Sequence, residues 1–266
     1  MWTATSKRST NTVPIVANNR VVWLSPADPP DAFPPVELAL REPDGLLAAG
    51  GDLGSERLLA AYRHGIFPWY EEGQPILWWS PDPRCVLYPQ EFHASRRLRR
   101  YARQSSLTLS CNKAFSDVVL ACAGSRKSQQ GTWITPDVMT AFNKLHADGW
   151  AHSIEIWDEQ TLVGGIYGLS IGRVFFGESM FSHRDNASKF AMLGLCSILS
   201  RNDFELLDCQ VLSAHLLTLG ACLIPRAEFS ETLRCFCATE EQFANWPSKV
   251  VKIAEITGKY RPDALQ

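Results

Sequence analysis

Two polar side chains follow the apolar end of a predicted strand in the segment ELLDCQVLSAHLLTLGA. Asp208 and Gln210 are two residues apart, so an extended strand would point them to the same side. A carboxylate can orient or polarise a neighbouring group, and a carboxamide can both donate and accept hydrogen bonds. The pair therefore lies either at a strand end that faces water or on the wall of a pocket, and the pattern leaves both open.

An acidic residue, Glu178, also lies inside the apolar segment FFGESMFS. Strand alternation predicts that Phe176, Glu178 and Met180 share one face. A buried carboxylate is costly unless it has a partner. Glu178 is therefore expected either to form a structural salt bridge or to line a pocket that receives a cation, and Asp208 and Gln210 fit that same pocket.

Arginine is concentrated in the segment SRRLRRYAR. On a helix with about 100° per residue, one arc carries four guanidinium groups, those of Arg96, Arg99, Arg100 and Arg103. Leu98, Tyr101 and Ala102 occupy the other side. The row is either a solvated face or a surface for a nucleic-acid backbone, whose phosphates suit regularly spaced arginines. The net charge of −2 does not decide between them.

The overall composition is that of an ordinary globular protein. The chain has 266 residues, of which 45% are hydrophobic and 20% are charged. No apolar run reaches the length of a membrane-spanning helix, so no membrane association is expected. The polar first twenty residues lack the residue order of a secretory signal. Residues 1–22 are therefore predicted to be a flexible extension.

The cysteines and histidines form no recognisable site. None of the eight cysteines belongs to a C-x-x-C pair, and most lie inside apolar runs. They are predicted to be reduced and buried, with no disulfide and no metal. The six histidines are scattered without a nucleophile. Any chemistry is therefore expected to be a direct transfer between two substrates.

Periodicity and capping residues predict the elements. Predicted helices cover residues 55–65, 96–103, 112–123, 135–148 and 187–200, one begins at Ser213, and a final pair spans 226–246. Predicted strands cover residues 107–110, 152–157, 162–171, 173–182 and 204–210. The expected N-caps are Ser55, Asn112 and Thr135, the expected stops are Gly65 and Gly149, and residues 239–242 form an expected capping box.

These elements predict an α+β fold with two domains. Residues 23–84 form a small N-terminal domain rich in Trp and Pro, residues 85–250 form the catalytic domain, and residues 251–266 form a C-terminal tail. In the larger domain, helices flank a central, mostly antiparallel sheet that includes a three-stranded meander. This order matches that of the GCN5-related acetyltransferases, although a fold alone does not define a function.

Several motifs together resemble one family, the leucyl/phenylalanyl-tRNA–protein transferases. They include DGLLAAGGDL, AYRHGIFPW, ILWWSPDPR, GTWIT, LVGGIYG, FFGESMFS and LLDCQ, and they extend over about residues 23–229 in family order. The resemblance implies a cytoplasmic bacterial enzyme that transfers leucine or phenylalanine, and less well methionine, from aminoacyl-tRNA. The acceptor is an N-terminal Arg or Lys of a protein, which is thereby marked for degradation. No cofactor is implied.

The resemblance also implies roles for individual residues. Gln210 would hold the acceptor amine with Asp208 polarising it, and Glu178 would face the incoming positive side chain or the aminoacyl-adenosine. Trp69 and Trp133 would position the adenosine and the aminoacyl group. The apolar aminoacyl pocket is predicted to comprise Ile166, Met180, Met192, Leu195 and Leu207. The tRNA acceptor stem would bind the four arginines, Arg96, Arg99, Arg100 and Arg103.

The expected partners are leucyl-tRNA, phenylalanyl-tRNA and the acceptor protein, and the expected state is a monomer. Two alternatives remain open. One is a CoA-dependent N-acetyltransferase, which the segment SHRDNASK disfavours because it contains no glycine where such enzymes carry a pyrophosphate loop. The other is a non-catalytic RNA-binding protein, in which Asp208 and Gln210 are structural.

Overall fold

The computed structural model describes residues 21–127, 133–239 and 241–257. Its strands are β1 (Val22–Leu24), β2 (Leu46–Gly50), β3 (Phe67–Pro68), β4 (Leu77–Trp79), β5 (Arg84–Leu87), β6 (Thr108–Cys111), β7 (Ala151–Asp158), β8 (Thr161–Ile171), β9 (Val174–Ser182), β10 (Leu206–Gln210), β11 (Cys222–Ile224) and β12 (Val251–Lys252). Its α-helices are α1 (Ser55–Arg63), α2 (Arg96–Gln104), α3 (Phe115–Lys127), α4 (Pro136–Ala147), α5 (Ala187–Arg201), α6 (Ala214–Thr218), α7 (Arg226–Phe236) and α8 (Ile253–Thr257). These elements confirm a mixed α+β fold.

Two sheets organise the described residues. The smaller has the strand order β1-β2-β4-β3, and the larger has the order β11-β5-β10-β9-β8-β7-β6-β12. Strands β7, β8 and β9 pair antiparallel in sequence, which confirms the predicted meander. In the larger sheet β10 pairs parallel with β9, whereas its other neighbour, β5, is antiparallel.

Buried side chains form two cores. The first core joins the small sheet and α1 to one face of the large sheet, and it includes Tyr62, Trp78, Phe142 and Tyr167. The second core contains the apolar residues of α5 together with Leu98 and Ala102 of α2 and the apolar residues of β10 and α6 that face it. Apolar burial on both sides explains why the central strands read as nearly continuous hydrophobic runs.

The helix ends agree with the capping chemistry at some positions and not at others. Thr135 caps α4 by accepting a hydrogen bond from the Val138 N–H, as predicted, and Ser213 caps α6 in the same way. The predicted cap Ser55 is wrong: it is the first residue of α1, Gly54 is the N-cap, and the Ser55 hydroxyl donates to Asp148 instead.

Two further boundary predictions are wrong. Asn112 does not cap α3, which begins at Phe115; its left-handed backbone (φ 58°) turns the chain, and its side chain contacts β7. The second helix of the predicted final pair is absent from the described residues between α7 and β12. There the Thr239 hydroxyl accepts from the Glu241 N–H, and Gln242 donates to the Asp148 carbonyl, so these polar groups serve a loop.

The residues after Val250 are part of the sheet structure. Strand β12 pairs antiparallel with β6, and α8 packs against both α2 and α5. The predicted tail of residues 251–266 therefore begins with two ordered elements; its last residues lie outside the described part, as do residues 1–20. Within the described ranges, no helix meets the length and hydrophobicity needed to cross a bilayer.

A β-bulge in the meander changes which face β9 presents. The register shifts between Tyr167 and Gly168, opposite the part of β9 that carries Glu178. Phe176 lies in the first core, where its ring contacts Tyr62, whereas Met180 packs against the second core. The prediction that Phe176 and Met180 share a face is therefore wrong, because the bulge interrupts the alternation.

Candidate active site

A cavity of about 340 Å³ opens where β9 and β10 separate. The two parallel strands pair only from Leu206 with Val174 to Asp208 with Phe176. Beyond that point β9 continues to Ser182 along β8, while β10 ends in a bulge. The cavity lies within this divergence and is bordered by Gly177–Met180 on one strand and by Leu207, Cys209 and Gln210 on the other.

The wall of the cavity is mainly apolar. Four of the five residues predicted for the aminoacyl pocket line it, namely Ile166, Met180, Met192 and Leu207. Leu195 does not: it is fully buried in the second core. Phe67 of β3 and Leu216 of α6 also belong to the apolar lining, and the sequence did not indicate either of them.

Trp69 and Trp133 also line the cavity, from segments far apart in sequence. Trp69 follows β3 and is 44% exposed, and its ring lies 5.7 Å from that of Trp79. The Trp79 indole N–H donates to the Trp69 carbonyl, which fixes the backbone at this edge. Trp133 lies two residues before Thr135, the N-cap of α4. An exposed indole at a cavity mouth offers a flat surface on which an aromatic base can stack.

Glu178 and Gln210 meet inside the cavity. The Tyr62 hydroxyl donates to Glu178 Oε1 at 2.6 Å, and the Gln210 amide nitrogen lies 3.3 Å from that same oxygen. Burial and the adjacent carboxylate raise the pKa of Tyr62 well above its usual value, so the phenol remains a hydrogen-bond donor. Glu178 is therefore a buried carboxylate that accepts hydrogen bonds from two neutral donors, the Tyr62 hydroxyl and the Gln210 amide.

Asp208 has a different environment from Gln210, although they are two residues apart. Asp208 is fully buried, does not line the cavity and forms a two-point ion pair with Arg84. The β10–β5 register shifts between Asp208 and Gln210, and Gln210 adopts a left-handed backbone with φ of 55°. The bulge thus places the carboxylate in the interior and the carboxamide on the cavity wall.

The four predicted tRNA-binding arginines lie on α2 and are separate from the cavity. Arg96, Arg100 and Arg103 are exposed, and Arg99 is half-buried with its Nε donating to the Ala94 carbonyl. The guanidinium groups of Arg97 and Arg100 both lie over the Tyr101 ring. Leu98 and Ala102 anchor the helix in the second core, so the charged face points to solvent.

Comparison with known proteins identifies the family. The model described as "Leucyl/phenylalanyl-tRNA protein transferase" matches residues 86–234, and the model of that family's N-terminal domain matches residues 51–82. The chain belongs to the leucyl/phenylalanyl-tRNA–protein transferase family. The two matches include the cavity walls contributed by both sheets, and α2 as well.

Relatives named leucyl/phenylalanyl-tRNA–protein transferase are similar over most of their length. The one from Azotobacter vinelandii is 57% identical over 202 residues, which are 76% of this chain and 89% of the relative. The one from Stutzerimonas stutzeri is 54% identical over 213 residues, covering 80% and 93%. The one from Aromatoleum aromaticum is 53% identical over 229 residues, covering 86% and 91%.

The transferase fold also brings together residues that sequence reasoning missed. Tyr62 and Arg84 are buried at 0% and 1% exposure and bind the carboxylates of Glu178 and Asp208. Each lies more than one hundred residues from its partner in sequence. The one available indication was the position of Arg84 after the SPDP turn, where an arginine opens an otherwise apolar strand. In the described part of the chain, no group of three or more potential metal ligands occurs.

Proposed function

We propose that this chain transfers leucine or phenylalanine from aminoacyl-tRNA to the N-terminal Arg or Lys of acceptor proteins, forming a peptide bond. The observation that carries the proposal is the cavity, whose apolar wall meets one carboxylate and one carboxamide at the divergence of β9 and β10. Family membership supports the same reaction. The product carries a new N-terminal residue that marks the protein for degradation.

The donor is proposed to insert its side chain into the apolar part of the cavity. Ile166, Met180, Met192 and Leu207 form this wall. Leucine has three more carbons than alanine, and each contributes about 0.8 kcal/mol when buried. Selection of large aliphatic or aromatic side chains follows from this burial, and the resemblance to the family adds methionine as a weaker donor. Leu195 supports the wall from the second core, and Trp69 and Trp133 position the terminal adenosine.

The acceptor is proposed to approach Glu178 and Gln210. The buried Glu178 carboxylate suits the positive side chain of Arg or Lys, and the Gln210 carboxamide orients the α-amine. A free α-amine has a reference pKa of about 7.7–8.0, so a useful fraction is unprotonated near neutral pH. Its nitrogen attacks the ester carbonyl carbon, and the carbon–oxygen bond to the tRNA ribose breaks. The ribose oxygen leaves as a hydroxyl group after taking the proton that the amine loses.

Positioning should dominate this reaction, because the ester is already activated and the nucleophile needs no strong base. A carboxamide is too weakly basic for ordinary base catalysis, so Gln210 is proposed to orient the amine, with Asp208 supporting it from the interior. No cofactor takes part. Arg96, Arg99, Arg100 and Arg103 are proposed to bind the tRNA backbone, which allows tRNAs of different anticodon to be used.

Three broader features of the family reading are part of the same proposal. The large sheet, with its diverging parallel pair, is proposed to be an acetyltransferase-like domain of the GCN5-related type. The enzyme is proposed to work as a monomer in the cytoplasm. The division of the chain near residue 84, into a small Trp-rich and Pro-rich domain and a larger catalytic domain, is proposed on the same basis.

The proposal is tested by the transfer of labelled leucine from leucyl-tRNA to synthetic peptides that begin with Arg, Lys or Ala. Label should enter the Arg and Lys peptides and not the Ala peptide. Gln210→Ala should lower kcat about a hundredfold, whereas Gln242→Ala, a glutamine that binds a loop carbonyl away from the cavity, should not. Absence of transfer by folded protein that still binds tRNA would instead support a non-catalytic RNA-binding protein.

A further inference from the structure

Arg84 is buried between a carboxylate, a backbone carbonyl and two aromatic rings, one of which, that of Phe67, lines the cavity. Its Nε and Nη2 donate to Asp208 Oδ1 and Oδ2 at 2.8 and 2.7 Å, and its Nη1 donates to the Gly65 carbonyl at 3.0 Å. The guanidinium carbon lies 4.8 Å from the ring centre of Phe67 and 4.7 Å from that of Phe229. Both hydrogen bonds and stacking therefore fix the orientation of the guanidinium plane.

The Arg84 ion pair continues into the backbone of Gln210. Asp208 Oδ1 also accepts a hydrogen bond from the Gln210 N–H at 3.0 Å. A non-glycine residue rarely adopts a left-handed backbone, and it stays there only when its surroundings hold it. At Gln210 that restraint comes from Asp208, whose remaining hydrogen-bonding capacity is directed at Arg84.

Stability alone is a weak explanation for this arrangement. A buried ion pair often contributes no more to folding than apolar residues of the same shape. The pair is, however, well suited to positioning the Asp208 carboxylate, because a planar two-point contact fixes both its direction and its distance from the guanidinium. Phe67, which stacks on Arg84, is itself part of the cavity wall. Arg84 therefore contacts one wall residue directly, Phe67, and reaches another, Gln210, through Asp208.

We propose that Arg84 is a positioning residue of the transfer reaction: acting through Asp208, it holds the bulge at Gln210 so that the carboxamide faces the cavity beside Glu178. The inference rests on the proposed function for its kinetic consequence only. Its structural part, the restraint of the Gln210 backbone, is independent of which reaction the cavity performs.

The test compares Arg84→Lys with wild type in the leucine-transfer assay. Lysine keeps the charge but loses the planar two-point contact. The variant should lower kcat about a hundredfold while KM for leucyl-tRNA stays within about twofold, because a small misplacement near the reacting atoms costs rate rather than donor affinity. In a Gln210→Ala background, the same substitution should lower kcat no further, because Arg84 acts through that residue.

Arg57→Lys is the matched control. Arg57 is also 1% exposed and ion-paired, with Asp52, but its other hydrogen bonds go to backbone carbonyls of the N-terminal segment, at Ser25, Asp28 and Pro29, none of which lines the cavity. Its loss should affect stability without the coupling to Gln210. If Arg84→Lys does not fold, the apolar pair Arg84→Met with Asp208→Leu takes its place, with the same kinetic expectations.

A second readout keeps the inference distinct from the proposed function. Hydrogen exchange of the Gln210 amide should become about ten- to a hundredfold faster in the Arg84→Lys variant, because Asp208 loses its two-point contact with Arg84 and holds the Gln210 N–H less firmly. Unchanged exchange, or a folded variant with wild-type kcat, would overturn the positioning role. If wild type transfers no leucine but the exchange rate changes as expected, the reaction assignment fails and the restraint stands.

Discussion

Folding holds the imidazole of His152 in its neutral form. The side chain is 5% exposed, stacks on Trp246 with ring centres 4.4 Å apart, and places Nδ1 3.1 Å from the Asn112 amide. Burial, with a smaller contribution from His146, lowers the pKa of His152 to about 3. Protonation of His152 at low pH therefore favours the unfolded state over the native state.

The pH dependence of stability follows from that shift. An unfolded histidine has a pKa of about 6.5. Below this pH the unfolded chain binds a proton at His152, whereas the native chain keeps His152 neutral. The contribution of His152 is complete above pH 6.5 and is lost as the pH falls toward 3. At pH 5 the loss is about 2 kcal/mol relative to pH 7.

Urea unfolding at pH 7 and pH 5 measures this effect. His152→Phe should remove most of the 2 kcal/mol difference, whereas His64→Gln, which alters an exposed imidazole, should preserve it. An equal pH difference in wild type and His152→Phe would show that other groups cause the acid sensitivity.

At the scale of elements, α2 is the part whose role is most directly measurable. Its arginines project from a helix that Leu98 and Ala102 anchor in the second core, so replacing them should not disturb folding. Arg96→Gln with Arg100→Gln should weaken tRNA binding and flatten the dependence of log K on log salt by about 0.7–0.9 per lost contact.

Binding of leucyl-tRNA measured across a range of salt concentrations checks the prediction. Arg201→Gln with Arg234→Gln removes two exposed arginines from α5 and α7 and serves as the control. A salt slope that is the same for both double variants would remove α2 from the tRNA interface.

Local chemistry predicted the elements better than it predicted their junctions. Thr135 and Ser213 mark helix starts because each hydroxyl accepts a hydrogen bond from a backbone N–H of the first helical turn, so the cap needs no partner distant in sequence. Ser55 and Asn112 carry the same chemistry but bind Asp148 and β7, which are remote in sequence. In those two cases a tertiary hydrogen bond replaces the local helix cap, so a local sequence pattern could not reveal it.

The site was predictable in its residues but less so in its geometry. The resemblance to a family pointed to Glu178, Gln210 and four apolar residues that line the cavity, whereas alternation alone gave the wrong face for Met180. Bulges leave no mark in a hydrophobic pattern until the partner strand is known. Arg84 and Tyr62 were missed because their partners, Asp208 and Glu178, lie on strands that fold against them from far along the chain.

At the scale of the whole molecule, the two sheets share a core and should unfold together. Trp78 and Tyr62 from the N-terminal part pack in the same cluster as Phe142 and Tyr167 from the larger part. A fragment of residues 85–266 would expose that surface and would also lack Arg84, the ion-pair partner of the buried Asp208. We expect it to show no cooperative transition and little near-ultraviolet circular dichroism.

Thermal unfolding of the fragment and of the intact chain decides the matter. The intact chain should show one transition, with the same midpoint by tryptophan fluorescence and by far-ultraviolet circular dichroism. A fragment that unfolds cooperatively near the midpoint of the intact chain would instead show that residues 85–266 are an independent folding unit.

The divergence of β9 and β10 has a consequence for genetics. Past Phe176 and Asp208 the two strands do not pair with each other, and residues that follow on both strands border the cavity. Contacts made by main-chain atoms survive most codon changes, because every substitution supplies the same peptide group. A library of point mutants would therefore underestimate how much this gap contributes, and replacing single amides by esters along the two edges would show it.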